Sequence, residues 1–298
     1  MMKIRIALAG LVAFGLVLLG FNTRESAEEK VQTSLLWKVE KEGMSKSSYL
    51  FGTMHMIQKE YYYFPESLKK LIKKSDVIAT EIDLDDLTDQ SKAVKYLTLK
   101  EGTIMDFFTP NQQDTLLGWV KKKLMMDRKT FEMTFSNFKP FILVQTMMQM
   151  ELMGKTESYE MTISELAKKY KIETVGFETI AEQISFFDGL SKEKQAEMVM
   201  EGIRNEGKNL EMLNEVQGLY KRQQVDSLYA MMHAEKSVIM EEEELFLNKR
   251  NKNWLPQIEK LIQNKTAFIA VGAGHLGGDQ GVIKLLRTRG YTLTPVKF

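Results

Sequence analysis

Two of the three histidines in this 298-residue chain stand in the same four-residue frame, Gly52-Thr53-Met54-His55 and Gly272-Ala273-Gly274-His275, each after a short apolar run. With 19 glycines and 3 histidines, about 0.2 such frames arise by chance, so a matched pair marks a site. Imidazole offers two chemistries near neutral pH, ligation of a divalent metal and proton transfer. A strand ending in glycine lets the backbone turn sharply and presents the next side chain at the C-terminal edge of a sheet, where open α/β sheets bind ligands. The third histidine, in Tyr229-Ala230-Met231-Met232-His233, has no such frame, falls in a helical stretch and reads as structural. The chain contains no cysteine, which removes thiol nucleophiles, disulfides and Cys-ligated metals and leaves imidazole, carboxylate, hydroxyl and amide.

The elements that must position these residues follow from periodicity. Leu35 to Val39 and Ser48 to Phe51 flank a turn at Gly43 and predict a β-hairpin that ends just before His55. Leu68, Leu71 and Ile72 repeat at helical spacing after Pro65-Glu66. Asp76 to Asp83 then reads as a buried strand, so strand, helix and strand form a parallel unit. Glu81 falls near the end of that strand, on the edge that holds His55 if the two strands are neighbours.

From about residue 102 to 250 the pattern is mostly helical. Thr109-Pro110 caps a helix through Met126, Pro140 opens another through Met153, and Thr162-x-x-Glu165 reads as a capping box before Leu166. Met125, Met126, Met147, Met148, Met150 and Met153 on two of these helices read as flexible core filling, with an adaptable peptide groove as the alternative. Ile172 to Phe177 is one further strand, with Glu178 just beyond it, and Glu241 to Glu244 reads as a solvated helix face. At the end, Trp254 to Ile262 completes a helix, Thr266 to Val271 is a buried strand, and the loop from Gly272 to Gly281 holds His275. Val282 to Arg289 is then a helix, stopped by Gly290, and Tyr291 to Val296 a last strand. The glycine-rich loop lacks Gly-x-Gly-x-x-Gly and Gly-Lys-Ser/Thr, so it does not read as a phosphate cradle. The expected fold is α/β, a mixed and partly parallel sheet flanked by helices, forming one domain over 31–298 with a helical insertion over about 102–250.

Lys3 and Arg5 precede the apolar run Ile6 to Phe21, and a polar stretch with Arg24, Glu25, Glu28 and Glu29 follows. That order predicts a signal peptide or an N-terminal membrane anchor over residues 1–30, with residues 6–21 as the tether and the folded part outside the cytoplasm. No cysteine follows the run, which excludes an acyl anchor of the lipoprotein type. The 41 lysines and arginines nearly balance 40 aspartates and glutamates, so bulk charge draws the chain to neither nucleic acid nor an anionic membrane.

The phrases Tyr49-Leu50-Phe51-Gly52-Thr53-Met54-His55 and Ala270-Val271-Gly272-Ala273-Gly274-His275-Leu276, with Asp76 to Glu81 after the first, resemble the TraB/GumN family, relatives of the Tiki proteins. Val175-Gly176-Phe177-Glu178-Thr179 and Arg250-Asn251-x-x-Trp254 resemble further stretches of that family, and the similarity covers most of the chain after residue 34. The resemblance implies a metal-dependent peptidase-like fold akin to the erythromycin-esterase and ChaN-like group. It also implies a centre of His55, Glu81 and His275, with Glu178 and Arg250 beside it.

Two imidazoles and a carboxylate, His55, His275 and Glu81, supply three ligands and an open position, suited to zinc, manganese or cobalt. If Glu81 is a ligand, Glu178 is the candidate general base; if Glu81 is the base, the histidines hold the metal with Glu178 or another oxygen donor. Arg250 would stabilise an oxyanion or bind a substrate carboxylate. The absence of His-Glu-x-x-His sets the chain apart from the zincins. The expected activity is metal-dependent hydrolysis of extracytoplasmic peptides. Two alternatives stay open: a metal-independent His/Glu hydrolase of esterase type, and a non-catalytic protein that binds a peptide or small molecule.

Overall fold

The computed structural model describes residues 33–83, 90–152, 156–234 and 237–298. The expected signal or anchor over residues 1–30 and the expected helix end at Met153 lie outside the described residues.

The described residues open with the hairpin read from its alternation, Leu36–Glu40 (β1) and Ser48–Thr53 (β2), paired antiparallel across a turn where Gly43 takes a φ of 88°. A two-residue strand, Ile57–Gln58 (β3), and helix Glu66–Lys73 (α1) lead into strand Val77–Ile82 (β4). Then come helices Gln90–Leu97 (α2), Pro110–Trp119 (α3), Arg128–Phe135 (α4) and Phe141–Leu152 (α5). The short strand Thr156–Glu157 (β5) pairs with β3, and helix Tyr159–Tyr170 (α6) precedes strand Glu173–Glu178 (β6). Five helices follow: Ile180–Asp188 (α7), Lys192–Arg204 (α8), Lys208–Lys221 (α9), Val225–Ala234 (α10) and Val238–Glu241 (α11). Helix Lys249–Asn264 (α12), strand Ala267–Gly272 (β7), helix Val282–Thr288 (α13) and strand Thr292–Val296 (β8) end the chain.

The main sheet is mixed, ordered β6-β4-β7-β2-β1-β8. β6, β4, β7 and β2 run parallel, while β1 is antiparallel to both β2 and β8. β2 and β4 are therefore not neighbours, because β7 lies between them. The reason is in its composition: Ala267 to Val271 is apolar without alternation and fully buried, which suits a central parallel strand covered on both faces. The four parallel strands still end at one edge, with Thr53 level with Gly272 and Ile82 level with Glu178.

Among the described residues, apolar side chains gather in two cores. One joins the sheet to α1, α6, α9, α10, α12 and α13 through residues such as Phe51, Ile72, Tyr220, Trp254 and Leu286. The other is built without strands, by α2 to α5 with α7, α8 and α11 and the segments that connect them, around Leu116, Phe131, Leu143 and Val199. Met147 is buried in the helical core, and Met126 and Met150 pack against it.

Two local readings need correction. α6 starts at Tyr159, capped by the Ser158 hydroxyl accepting from the Met161 N–H, and Thr162 lies inside the helix with its hydroxyl donating to the Ser158 carbonyl. Ser158 wins because Tyr159 and Ile163 are buried, so the apolar stripe begins one turn before the expected box. The acidic run is not merely solvated: Glu242 pairs with Lys194, Glu243 with His233 at 3.0 Å, and Glu244 with Lys252 at 3.1 Å.

Candidate active site

The two glycine frames bring their histidines to the C-terminal edge of the sheet, for a different reason than a sharp turn. Neither Gly52 nor Gly272 has a positive φ. Each is needed for close approach. A Cβ on Gly52 would lie 2.6 Å from Leu276 Cδ1 and 3.2 Å from Ala273 Cα, so it lets the end of β2 rest on the loop after β7. A Cβ on Gly272 would lie 3.1 Å from Glu81 Oε1 and 3.6 Å from both His55 Nε2 and His275 Cδ2.

Glu81, at the end of β4 and 5% exposed, is the common partner. Its Oε1 lies 3.8 Å from Nε2 of His55 and 3.8 Å from Nε2 of His275, and accepts from the Gly272 N–H at 2.7 Å. Its Oε2 accepts from Arg250 at 2.6 Å and from Gln183 at 3.2 Å. The structure thus brings His55, Glu81, His275, Arg250 and Glu178 together, for the Arg250 guanidinium also donates to both Glu178 oxygens at 2.9–3.1 Å. His233 stands apart on α10, its Nδ1 donating to the Tyr229 carbonyl at 3.0 Å and its Nε2 paired with Glu243.

Each imidazole of the frames has a fixed partner behind it. His275 Nδ1 lies 2.7 Å from Asn251 Oδ1, and the Asn251 amide donates to the Gln280 carbonyl at 2.9 Å, so the amide oxygen must face the ring. Nδ1 of His275 therefore carries the proton, and its Nε2 offers a lone pair. Arg250 Nη1 points at that nitrogen from 3.2 Å. His55 Nδ1 lies 2.8 Å from a Glu160 oxygen on α6. Sequence reasoning missed Glu160, Asn251 and Gln183. Asn251 had a usable signal, since Arg250, Asn251, Trp254 and Ile258 share the buried face of α12 and two of the four are polar. Glu160 had none, as an acid in the first turn of a helix is ordinary.

Electrostatics separate the two histidines. Burial opposes charge on both, but beside His55 the carboxylates of Glu160 and Glu81 prevail and raise its pKa to about 9. His275 has an amide instead, and burial with the Arg250 charge lowers it to about 3. Burial would also keep Glu81 neutral, yet Arg250 and the imidazoles hold it well below the usual carboxylate range. Burial wins at Glu178, which is raised despite Arg250.

A cavity of about 150 Å³ opens beside this cluster, walled by Met54, Met148, Phe186, Met232, Phe246 and Leu247. Met148 thus serves the cavity while Met147 serves the core. Among the described residues, no three His, Asp or Glu side chains are gathered closely enough to hold a metal ion. The donors fit such an ion in kind, an ionised Glu81, a deprotonatable Nε2 on His55 and a lone pair on His275 Nε2, although Arg250 Nη1 meets that lone pair at 3.2 Å.

The sequence matches the TraB/PrgY/gumN family over residues 35–295. The chain belongs to that family. It is also similar to the protein named metalloprotease TIKI2 of Danio rerio, 23% identical over 327 residues, in a match that covers 88% of the chain and 61% of that relative's length. No solved structure matches. The family match takes in both glycine frames and Glu81, Glu178 and Arg250, so every residue converging on the cavity edge belongs to the shared region.

Proposed function

We propose that this chain is a metal-dependent hydrolase of peptide bonds, with His55, His275 and Glu81 holding a divalent ion of manganese, cobalt or zinc. The observation that carries it is the convergence of two Nε2 atoms on one carboxylate oxygen, each ring held from behind at Nδ1. Similarity to a metalloprotease supports the same reading. When bound, such an ion polarises a carbonyl and acidifies water. In this reading Glu81 is a ligand through Oε1, and Arg250 faces the cavity to stabilise negative charge on the carbonyl oxygen. Glu178 has both oxygens engaged by Arg250, so it orients the guanidinium and is badly placed to take a proton. The apolar cavity receives a substrate side chain, and the substrate is a peptide met outside the cytoplasm.

A second reading has its own observation. The Glu160 carboxylate behind His55 Nδ1 leaves Nε2 to face Glu81, an arrangement that suits proton transfer by a metal-free hydrolase. Elemental analysis of the purified chain, run with cleavage of a peptide library with and without chelator, separates the two. Bound metal and chelator-sensitive cleavage are expected. Cleavage unchanged by chelator would favour the Glu160–His55 dyad, and binding without any cleavage would overturn both.

A further inference from the structure

The two most exposed apolar side chains among those described, Met125 at 85% and Met133 at 80%, lie on one short stretch far in sequence from the site. There α3 runs into a π-turn over Val120–Leu124, Met125 reverses the chain with a φ of 56°, and Asp127 caps α4. A left-handed position after a helix usually holds glycine or asparagine, because a Cβ meets the following carbonyl. The other non-glycine residues with positive φ among those described, Lys171 and Gln223, are long and polar. Met125 thus combines a disfavoured backbone with an apolar side chain in water. Met126, next to it, packs on the helical core. On α4 the buried pair Phe131 and Phe135 faces inward, so Lys129 and Met133, one turn apart, share the outward face.

Cations surround both methionines. Lys121, Lys122, Lys123, Arg128 and Lys129 face only two acids in this stretch, Asp127 and Glu132. Asp127 is engaged in the α4 cap, Arg128 pairs with Glu132, and Lys123 with Glu206. Lys121, Lys122 and Lys129 are exposed and have no ion-pair partner among the described residues. The whole chain carries a formal charge of only +1, so this excess is local.

We propose that the tip over residues 120–133 docks on an anionic membrane surface, with Met125 and Met133 entering the boundary between headgroups and acyl chains and the three free lysines meeting lipid phosphates. Charge complementarity selects this occupant. A protein partner would have to desolvate three strongly hydrated ammonium groups in fixed pairs, whereas a lipid surface supplies mobile anions around two unbranched apolar side chains. The inference does not rest on the catalytic reading.

Because the chain has no cysteine, Met125→Cys or Met133→Cys in the full chain takes a single environment-sensitive fluorophore. The probes are vesicles of phosphatidylcholine alone and of phosphatidylcholine with phosphatidylglycerol. On the anionic vesicles, emission shifts to the blue and a quencher carried on the lipid chains reaches the label; on neutral vesicles neither happens. A label at Met161→Cys on α6 stays aqueous on both. Lys121→Glu with Lys122→Glu lowers the ratio of inserted to aqueous probe roughly twenty-five-fold or more at low salt, since each cation is worth roughly fivefold. Labels that remain aqueous on anionic vesicles overturn the proposal and leave the tip to a protein partner. Equal insertion into neutral vesicles, or insertion unmoved by the lysine reversals, overturns it as well.

Discussion

His55, His275 and His233 are the same residue type in three settings, and the setting decides what each loss does. In the proposed hydrolase, His55→Ala and His275→Ala each lower the rate of peptide cleavage by orders of magnitude, while His233→Ala leaves it nearly unchanged, as steady-state kinetics would show. Loss of His233 removes its pair with Glu243, its hydrogen bond to the Tyr229 carbonyl and its tilted ring contact with Tyr229, a partly exposed cluster, so its cost in stability is about 1 kcal/mol. Arg250 behaves differently. It is the counter-charge of two buried carboxylates, and Arg250→Met should destabilise the fold by about 3–5 kcal/mol in urea unfolding. Adding Glu178→Gln should recover part of that loss; full additivity of the two changes would show that the ion pair is not the cause. The His55–Glu160 pair gives a pH signature in the metal-free chain. The pKa of His55 is raised, so its contribution is complete below about 6.5 and is lost as pH rises through about 9. A quarter of the His55 side chain is exposed, which limits the effect to the order of 1 kcal/mol. Unfolding midpoints of the chelated protein should fall over that window, and the fall should vanish in His55→Gln.

At the scale of elements, the site exists because four parallel strands end together and two glycines let the strand ends approach. Gly272→Ala places a methyl 3.1 Å from Glu81 Oε1, a contact that displaces the carboxylate by a few tenths of an ångström. Its expected result is a marked loss of activity with a small change in melting temperature. Gly52→Ala meets Leu276 Cδ1 and the Ala273 backbone inside the sheet core, so it should lower stability by about 1–3 kcal/mol along with activity. Equal melting temperatures for the two variants would contradict this division. The frames were legible in the sequence as frames. Their physical use was not, because a close approach across strands leaves no mark on the local pattern.

For the whole molecule, the outstanding expectation is location. No described helix is long and apolar enough to cross a membrane. The charged-then-apolar order of Lys3, Arg5 and Ile6 to Phe21 predicts export. A reporter joined after Phe298 that is active only when exported should work, and one active only in the cytoplasm should not. The reverse result would place the fold inside the cell and contradict the proposal of an extracytoplasmic substrate.

What the sequence determined by itself is what local physics writes into a chain: the hairpin, the strand ends carrying Glu81 and Glu178, the glycine stop at Gly290, and the family resemblance of the two histidine frames. Period and punctuation suffice for these, because they concern residues a few positions apart. What only the tertiary structure decided is partnership across long separations. β7 slid between β2 and β4, since a strand apolar on both faces is most stable in mid-sheet. Glu160 took its place behind His55 from 105 positions away in the chain, while Asn251 did the same service for His275 from only 24. In α6 nothing local distinguishes a polar residue facing water from one facing an imidazole, and in α12 the apolar neighbours of Asn251 mark its face without naming its partner; packing makes that choice, because a buried polar group must find a partner.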